Sequence, residues 1–73
     1  MIVIASFPDQ ASAERYIESK QLKNTFPHVG IALSEDRCRV FAELYHDKTE
    51  AVAALDAFRA AHGKYAKAWV LAQ

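Results

Sequence analysis

Between Asp36 and Tyr45 apolar and polar positions alternate along the chain. Cys38, Val40, Ala42 and Leu44 fall on one side of an extended backbone, and Arg37, Arg39, Phe41 and Glu43 on the other. A period of two predicts a half-buried β-strand with its apolar side on a core. Met1 to Ala5 is apolar at every position, which predicts a strand covered on both faces and therefore central in its sheet. Ser6-Phe7-Pro8 ends that strand, because proline donates no ladder hydrogen bond. Asp9 is placed to cap a helix in which Ala13, Tyr16, Ile17 and Lys20 share a face, while Glu14, Arg15, Glu18 and Ser19 look outward. That helix is expected to give out around Leu22 to Asn24.

Thr25-Phe26-Pro27-His28 predicts a connector, since Pro27 biases the residue before it away from helix. From Val29 to Ser34 the alternation returns, with Val29, Ile31 and Leu33 facing one way and Gly30, Ala32 and Ser34 the other. The polar Ser34-Glu35-Asp36 predicts a turn joining this strand to the next as a hairpin. Asp47-Lys-Thr-Glu50 has the spacing of a capping box, and Ala51, Ala54, Leu55 and Phe58 form the apolar stripe of a second helix. Gly63 is a natural stop, and Lys67 to Ala72 predicts a closing strand that contains Trp69.

The order is β-α-β-β-α-β, and its two halves echo each other. Phe7-Pro8-Asp9 with Ala13 and Ile17 matches Tyr45-His46-Asp47 with Ala51 and Leu55 at the same internal spacing. Two interleaved β-α-β units predict an α+β fold: a ferredoxin-like sandwich with a four-stranded antiparallel sheet in the order 4-1-3-2. Both helices are expected on one face, which leaves the other open.

Composition narrows the functional classes. With 73 residues of which 52% are hydrophobic, the chain makes one domain with enough apolar surface for a core, and a disordered chain is excluded. Nine basic and nine acidic residues cancel, so the basic footprint of a nucleic-acid binder is absent and no nucleic-acid partner is expected. The RNA-recognition module, which shares this topology, is set aside also because its aromatic motif is missing. The single Cys38 permits no intrachain disulfide and is expected as a small buried hydrophobe. His28, His46 and His62 lack ligand spacing, so no metal is expected. Gly30 and Gly63 are the only glycines and form no phosphate loop, and Ser6, Ser12, Ser19 and Ser34 have no base signalled nearby. The chain is therefore expected to be noncatalytic and to use no cofactor. No apolar run reaches the roughly 18 residues of a membrane span, so this segment is not expected to insert into a membrane.

What remains is the open sheet face. If Cys38, Val40 and Ala42 point inward, then Arg37, Arg39 and Phe41 line its middle, with Val3 and Ala5 beside them and the small Gly30, Ala32 and Ser34 keeping the surface shallow. An aromatic with arginines suits sugar rings, whose C–H faces pack on π-systems while hydroxyls and carboxylates take charge-assisted hydrogen bonds. The same face would equally serve a protein partner or a homodimer, with Phe41 and Trp69 as anchors.

Val-Ile-Ala-Ser-Phe near the start, the paired aspartate-capped helices, Arg39-Val40, and Ala68-Trp69-Val70 at the end together resemble the SPOR (sporulation-related repeat) domain family over essentially all 73 residues. The resemblance implies a noncatalytic module that binds peptidoglycan, specifically glycan strands stripped of stem peptides, in the periplasm or cell envelope, within division or other envelope proteins. It also implies a single domain over residues 1–73 cut from a longer protein that carries the targeting segment. Ser6 and Arg39 match family positions associated with the ligand, and Trp69 is placed to reach the edge of the site. With Arg37 and Phe41 these make the expected glycan-binding set. The chain departs from the family at Val3 and Ala5, where a Gln and a Gly are common, and at Glu43-Leu44-Tyr45, where a Gly-Pro/Ser-Phe ending is favoured.

Overall fold

The computed structural model describes residues 1–71. In chain order the elements are β1 (Ile2–Phe7), α1 (Gln10–Ser19), α2 (Leu22–Thr25), β2 (Gly30–Leu33), β3 (Cys38–Glu43), α3 (Lys48–Ala61), a 3₁₀ turn (Gly63–Tyr65) and β4 (Trp69–Val70). The four strands form one antiparallel sheet in the order β2-β3-β1-β4, the expected 4-1-3-2 order read from its other edge. The fold is α+β and compatible with a ferredoxin-like arrangement.

Local chemistry sets where the helices begin. The Asp9 carboxylate accepts the Ser12 N–H at 2.7 Å and Asp47 accepts the Glu50 N–H at 2.8 Å, each filling one of the orphan donors of a first turn. Side chains from all three helices then enter one core: Ala13 and Ile17, Leu22, and Phe58 meet Ile2, Cys38, Val40 and Ala42 of the sheet. The buried alanines Ala13 and Ala51 let the two long helices lie close to the strands. Cys38 is buried among these residues, as expected of a small hydrophobe.

Two expectations are corrected here. The first helix does not run on to Leu22–Asn24 but stops at Ser19. Gln21 takes a left-handed backbone (φ 52°), and the chain restarts as α2, which carries Leu22 and Phe26 into the core. The connector residue Phe26 is thus a central packing residue, with its ring 5.6 Å from Phe58, 4.8 Å from His62 and 5.7 Å from Tyr65. α3 stops just before Gly63, as expected: His62 caps the helix, donating its N–H to the Phe58 carbonyl, and Gly63 opens the 3₁₀ turn. The closing strand is shorter than Lys67 to Ala72: it pairs with β1 at Trp69 and Val70, and Ala72 lies outside the described residues.

β1 runs down the middle of the sheet, and its pairing with β3 is irregular. Ile2 pairs with Glu43, the register shifts so that Val3 pairs with Phe41, and it shifts again so that Ala5 pairs with Val40, Ser6 with Arg39 and Phe7 with Cys38. A bulge of this kind puts two residues of one strand opposite one of its partner and exchanges the faces beyond it. Simple alternation would place Ala5 on the open face. The shift puts it opposite the buried Val40, packed against the core, and brings Ser6 beside Arg39 instead.

Candidate functional site

The sheet face turned away from the helices is built in two rows. Gly30, Phe41, Val3 and Trp69 are partners in one row that crosses all four strands. Ala32, Arg39 and Ser6 make the next row, and Ser34 lies at the end of the hairpin, whose turn closes with the Ser34 N–H donating to the Arg37 carbonyl at 2.8 Å.

The first row is an aromatic platform with a small floor. A Cβ on Gly30 would come within 2.6 Å of Phe41 Cζ and 3.0 Å of Cε2, so the Phe41 ring lies over the Gly30 backbone and only glycine leaves it room. This cross-strand covering of a glycine by an aromatic holds the ring flat against the sheet. Val3 is 0% exposed but does not belong to the helix-side cluster, as fits a residue whose row neighbours are Phe41 and Trp69. Trp69 itself is 38% exposed. Sequence alternation left its direction open. Its pairing with Val3 puts it on the open face, as the outer end of the row.

The second row supplies polarity. Arg39 Nη1 donates to Ser34 Oγ at 2.8 Å, which draws the guanidinium toward the hairpin and gives it a neutral partner. The Ser6 hydroxyl, next to Arg39 in the ladder, is buried and has no hydrogen-bond partner among the described residues. A buried hydroxyl left without a partner costs about 1–3 kcal/mol, so this atom is a place where a ligand's polar group would be stabilising. Reaching it requires a covering side chain to move.

Of the five expected site residues, the structure brings Ser6, Arg39, Phe41 and Trp69 onto one face. Arg37 is different: β3 begins at Cys38, and Arg37 sits exposed in the hairpin turn, at the rim of the face and not in its middle. Glu43, expected outward with Phe41, pairs with Ile2 and accepts a hydrogen bond from the Tyr45 hydroxyl. That bond, helped by burial, pushes the Tyr45 phenol up to about 12.

A cavity of about 620 Å³ lies elsewhere, on the helix side, and was not expected from the sequence. Tyr16, Lys20, Thr25, His62, Lys64 and Tyr65 line it. Burial raises the Tyr16 phenol, and neighbouring Tyr65 adds to the rise. Lys20 and His62 stand where α1 and α3 end, so their presence is explained by the negative carbonyl ends of those helices. Among the described residues no group of three or more His, Cys, Asp or Glu side chains could hold a metal ion, and no helix is long and apolar enough to cross a membrane. Comparison with family models, with curated proteins and with solved structures found no match to this chain.

Proposed function

We propose that the chain is a noncatalytic glycan-binding module that takes peptidoglycan strands freed of their stem peptides on its open sheet face, in the cell envelope. The observation that supports this reading is the row Gly30–Phe41–Val3–Trp69. It offers two aromatic rings and a glycine floor on a shallow surface, with Arg39 and the unpartnered Ser6 hydroxyl alongside. Sugar rings pack their C–H faces on such aromatics, and a guanidinium holds hydroxyl or carboxylate oxygens bidentately. The resemblance of Val-Ile-Ala-Ser-Phe, Arg39-Val40 and Ala68-Trp69-Val70 to the SPOR family points to the same ligand and the same face. In this reading Phe41 and Trp69 carry the stacking, Arg39 and Ser6 the polar contacts, and Arg37 a charge at the rim.

The test is retention on purified sacculi, with and without prior amidase treatment to strip the stem peptides. The folded protein is expected to be retained on the treated sacculi at low salt, and Trp69→Ala and Arg39→Ala each to weaken retention by about tenfold, the effect of losing one contact of about 1.4 kcal/mol. Equal behaviour of the parent and both variants, or no retention on treated sacculi, would sink the proposal. A rise in molecular mass that Trp69→Ala abolishes would redirect it to a protein-interaction role for the same face.

A further inference from the structure

The two edges of the sheet are managed differently. At one edge β4 has only two residues, and the chain entering it is tied down by Arg59, whose Nε and Nη2 donate to the Ala68 carbonyl at 3.0 and 2.6 Å. At the other edge β2 reads Gly-Ile-Ala-Leu, with no charge, no proline and no bulge. Edge strands normally carry such features because an uncovered row of N–H and C=O groups is a template for another strand. Leu33, at the end of this edge, is 66% exposed although it faces the helix side opposite buried Cys38.

The direction of the free backbone groups follows from the ladder. Ser34 donates to Arg37 across the hairpin, so Ser34 and, by alternation, Ala32 and Gly30 turn their backbone groups toward β3. Ile31 and Leu33 turn theirs outward. The Val29 N–H is already used, donating to the Phe26 carbonyl at 3.1 Å.

We propose that β2 pairs with β2 of a second copy of this chain, antiparallel, about a twofold axis through Ala32. The choice of register is restrictive. Residues directly opposite in a ladder share a face, so an axis between two residues would set Ile31 against Ala32 and mix the faces. An axis through Ile31 would pair Leu33 with Val29 and ask for an N–H that Phe26 already holds. An axis through Ala32 sets Ile31 against the partner's Leu33, covers the exposed leucine, and uses the free N–H and C=O of both residues in four hydrogen bonds. On the open face it sets Ala32 against Ala32 and Gly30 against Ser34, all small. The groove beside β2 carries both signs of charge, Glu14 and Glu18 with Lys23, so an acidic side chain of one copy can meet Lys23 of the other. A strand this short makes a small interface, and the dimer is correspondingly weak and concentration-dependent.

Sedimentation velocity from micromolar to millimolar protein tests the pairing directly. The mass is expected to rise toward twice the monomer, and Leu33→Lys to hold the chain at monomer with an unchanged circular dichroism spectrum. Register is tested in a Cys38→Ala background. Ala32→Cys places two thiols in a directly opposed, non-hydrogen-bonded pair whose Cα separation of about 4.5 Å suits a disulfide. Mild oxidation should therefore cross-link Ala32→Cys rapidly and Leu33→Cys far less. A monomer throughout the range, a mass rise that Leu33→Lys leaves intact, or faster cross-linking through Leu33→Cys than through Ala32→Cys would each overturn the proposal. Trp69→Ala, on the far strand, is expected to leave the dimer intact, which separates this edge contact from any use of the sheet face.

Discussion

The two β-α halves of the chain begin their helices alike and end them differently. Asp9 and Asp47 have the same extended backbone (φ −144° in both, ψ 162° and 167°), and each accepts the N–H three residues on. An aromatic precedes each cap, and a buried alanine follows four residues after it. Beyond that the likeness fails. α1 stops after ten residues, turns through left-handed Gln21 and adds α2, whereas α3 runs fourteen residues and hands over to a 3₁₀ turn. Helix starts are fixed by hydrogen bonds within a few residues, so they repeat with the sequence. Helix ends are fixed here by what the other half offers to pack against. Phe26, delivered by α2 of the first half, meets Phe58, His62 and Tyr65 of the second.

The sharpest way to break this comparison is Phe26→Ala. The side chain is 2% exposed and has no equivalent in the second half. Its loss is expected to cost about 3–5 kcal/mol, a large part of the roughly 5–15 kcal/mol that holds a small domain together. Urea unfolding would read this as a collapse of the midpoint; a shift no larger than that of a surface substitution would mean the halves are held together without the aromatic cluster.

A smaller effect sharpens the likeness instead. Asp47→Ala removes one cap and is expected to cost about 1 kcal/mol, and Asp9→Ala should move the urea midpoint by a similar interval. Acid acts on the Asp9 cap. The Ser12 N–H first, and its hydroxyl second, hold that carboxyl below its ordinary 3.8. A depressed folded value means the bond stabilises above the unfolded value and is lost as pH falls through the folded one. The destabilisation by Asp9→Ala should therefore be present at neutral pH and shrink at the acid end of a pH series.

The smallest effect concerns the aromatics before the caps. Phe7 stacks on Tyr16 with ring centres 5.1 Å apart, while Tyr45 donates its hydroxyl to Glu43. A folded value raised to about 12 means that the Tyr45 contribution is complete below the ordinary phenol value near 10 and is lost as pH rises from there toward 12. Phenolate absorbance in an alkaline titration should show a late step that Tyr45→Phe removes. If that step survives in the variant, it belongs to another of the three tyrosines.

Much of the architecture was legible because it rests on period and on caps. The alternation around Arg39 gave β3 and both its faces, and the aspartates gave both long helices. The open face was legible only in part. Met1 to Ala5 is apolar throughout, so a one-residue slip leaves no mark in its pattern, and the bulge that takes Ala5 inward and sets Ser6 beside Arg39 had no local signal. Arg37 lies in phase with Arg39, and only the hairpin register shows that it belongs to the turn. Trp69 sits in a strand of two residues, too short to have a period, and its direction comes from its partner Val3. Phe26 was hidden by Pro27: the proline correctly marks the end of a helix, but says nothing of the turn of helix just before it.

The position of β1 in the sheet bears on how the chain comes to be folded. Its Met1 amino group donates to the Leu71 carbonyl at 3.0 Å, and the Leu71 N–H donates back to Met1 at the same distance, seventy residues apart in sequence. The strand synthesised first is thus the one whose ladder is completed last: it must wait for β3 on one side and for β4 on the other. Contacts of such sequence separation require large loops to close before any pairing repays them, which slows folding. Until β4 arrives, Ile2, Val3 and Ile4 form an unpaired apolar edge in the middle of the future sheet. A nascent chain stalled before Trp69 would present that edge to chaperones and to its neighbours alike.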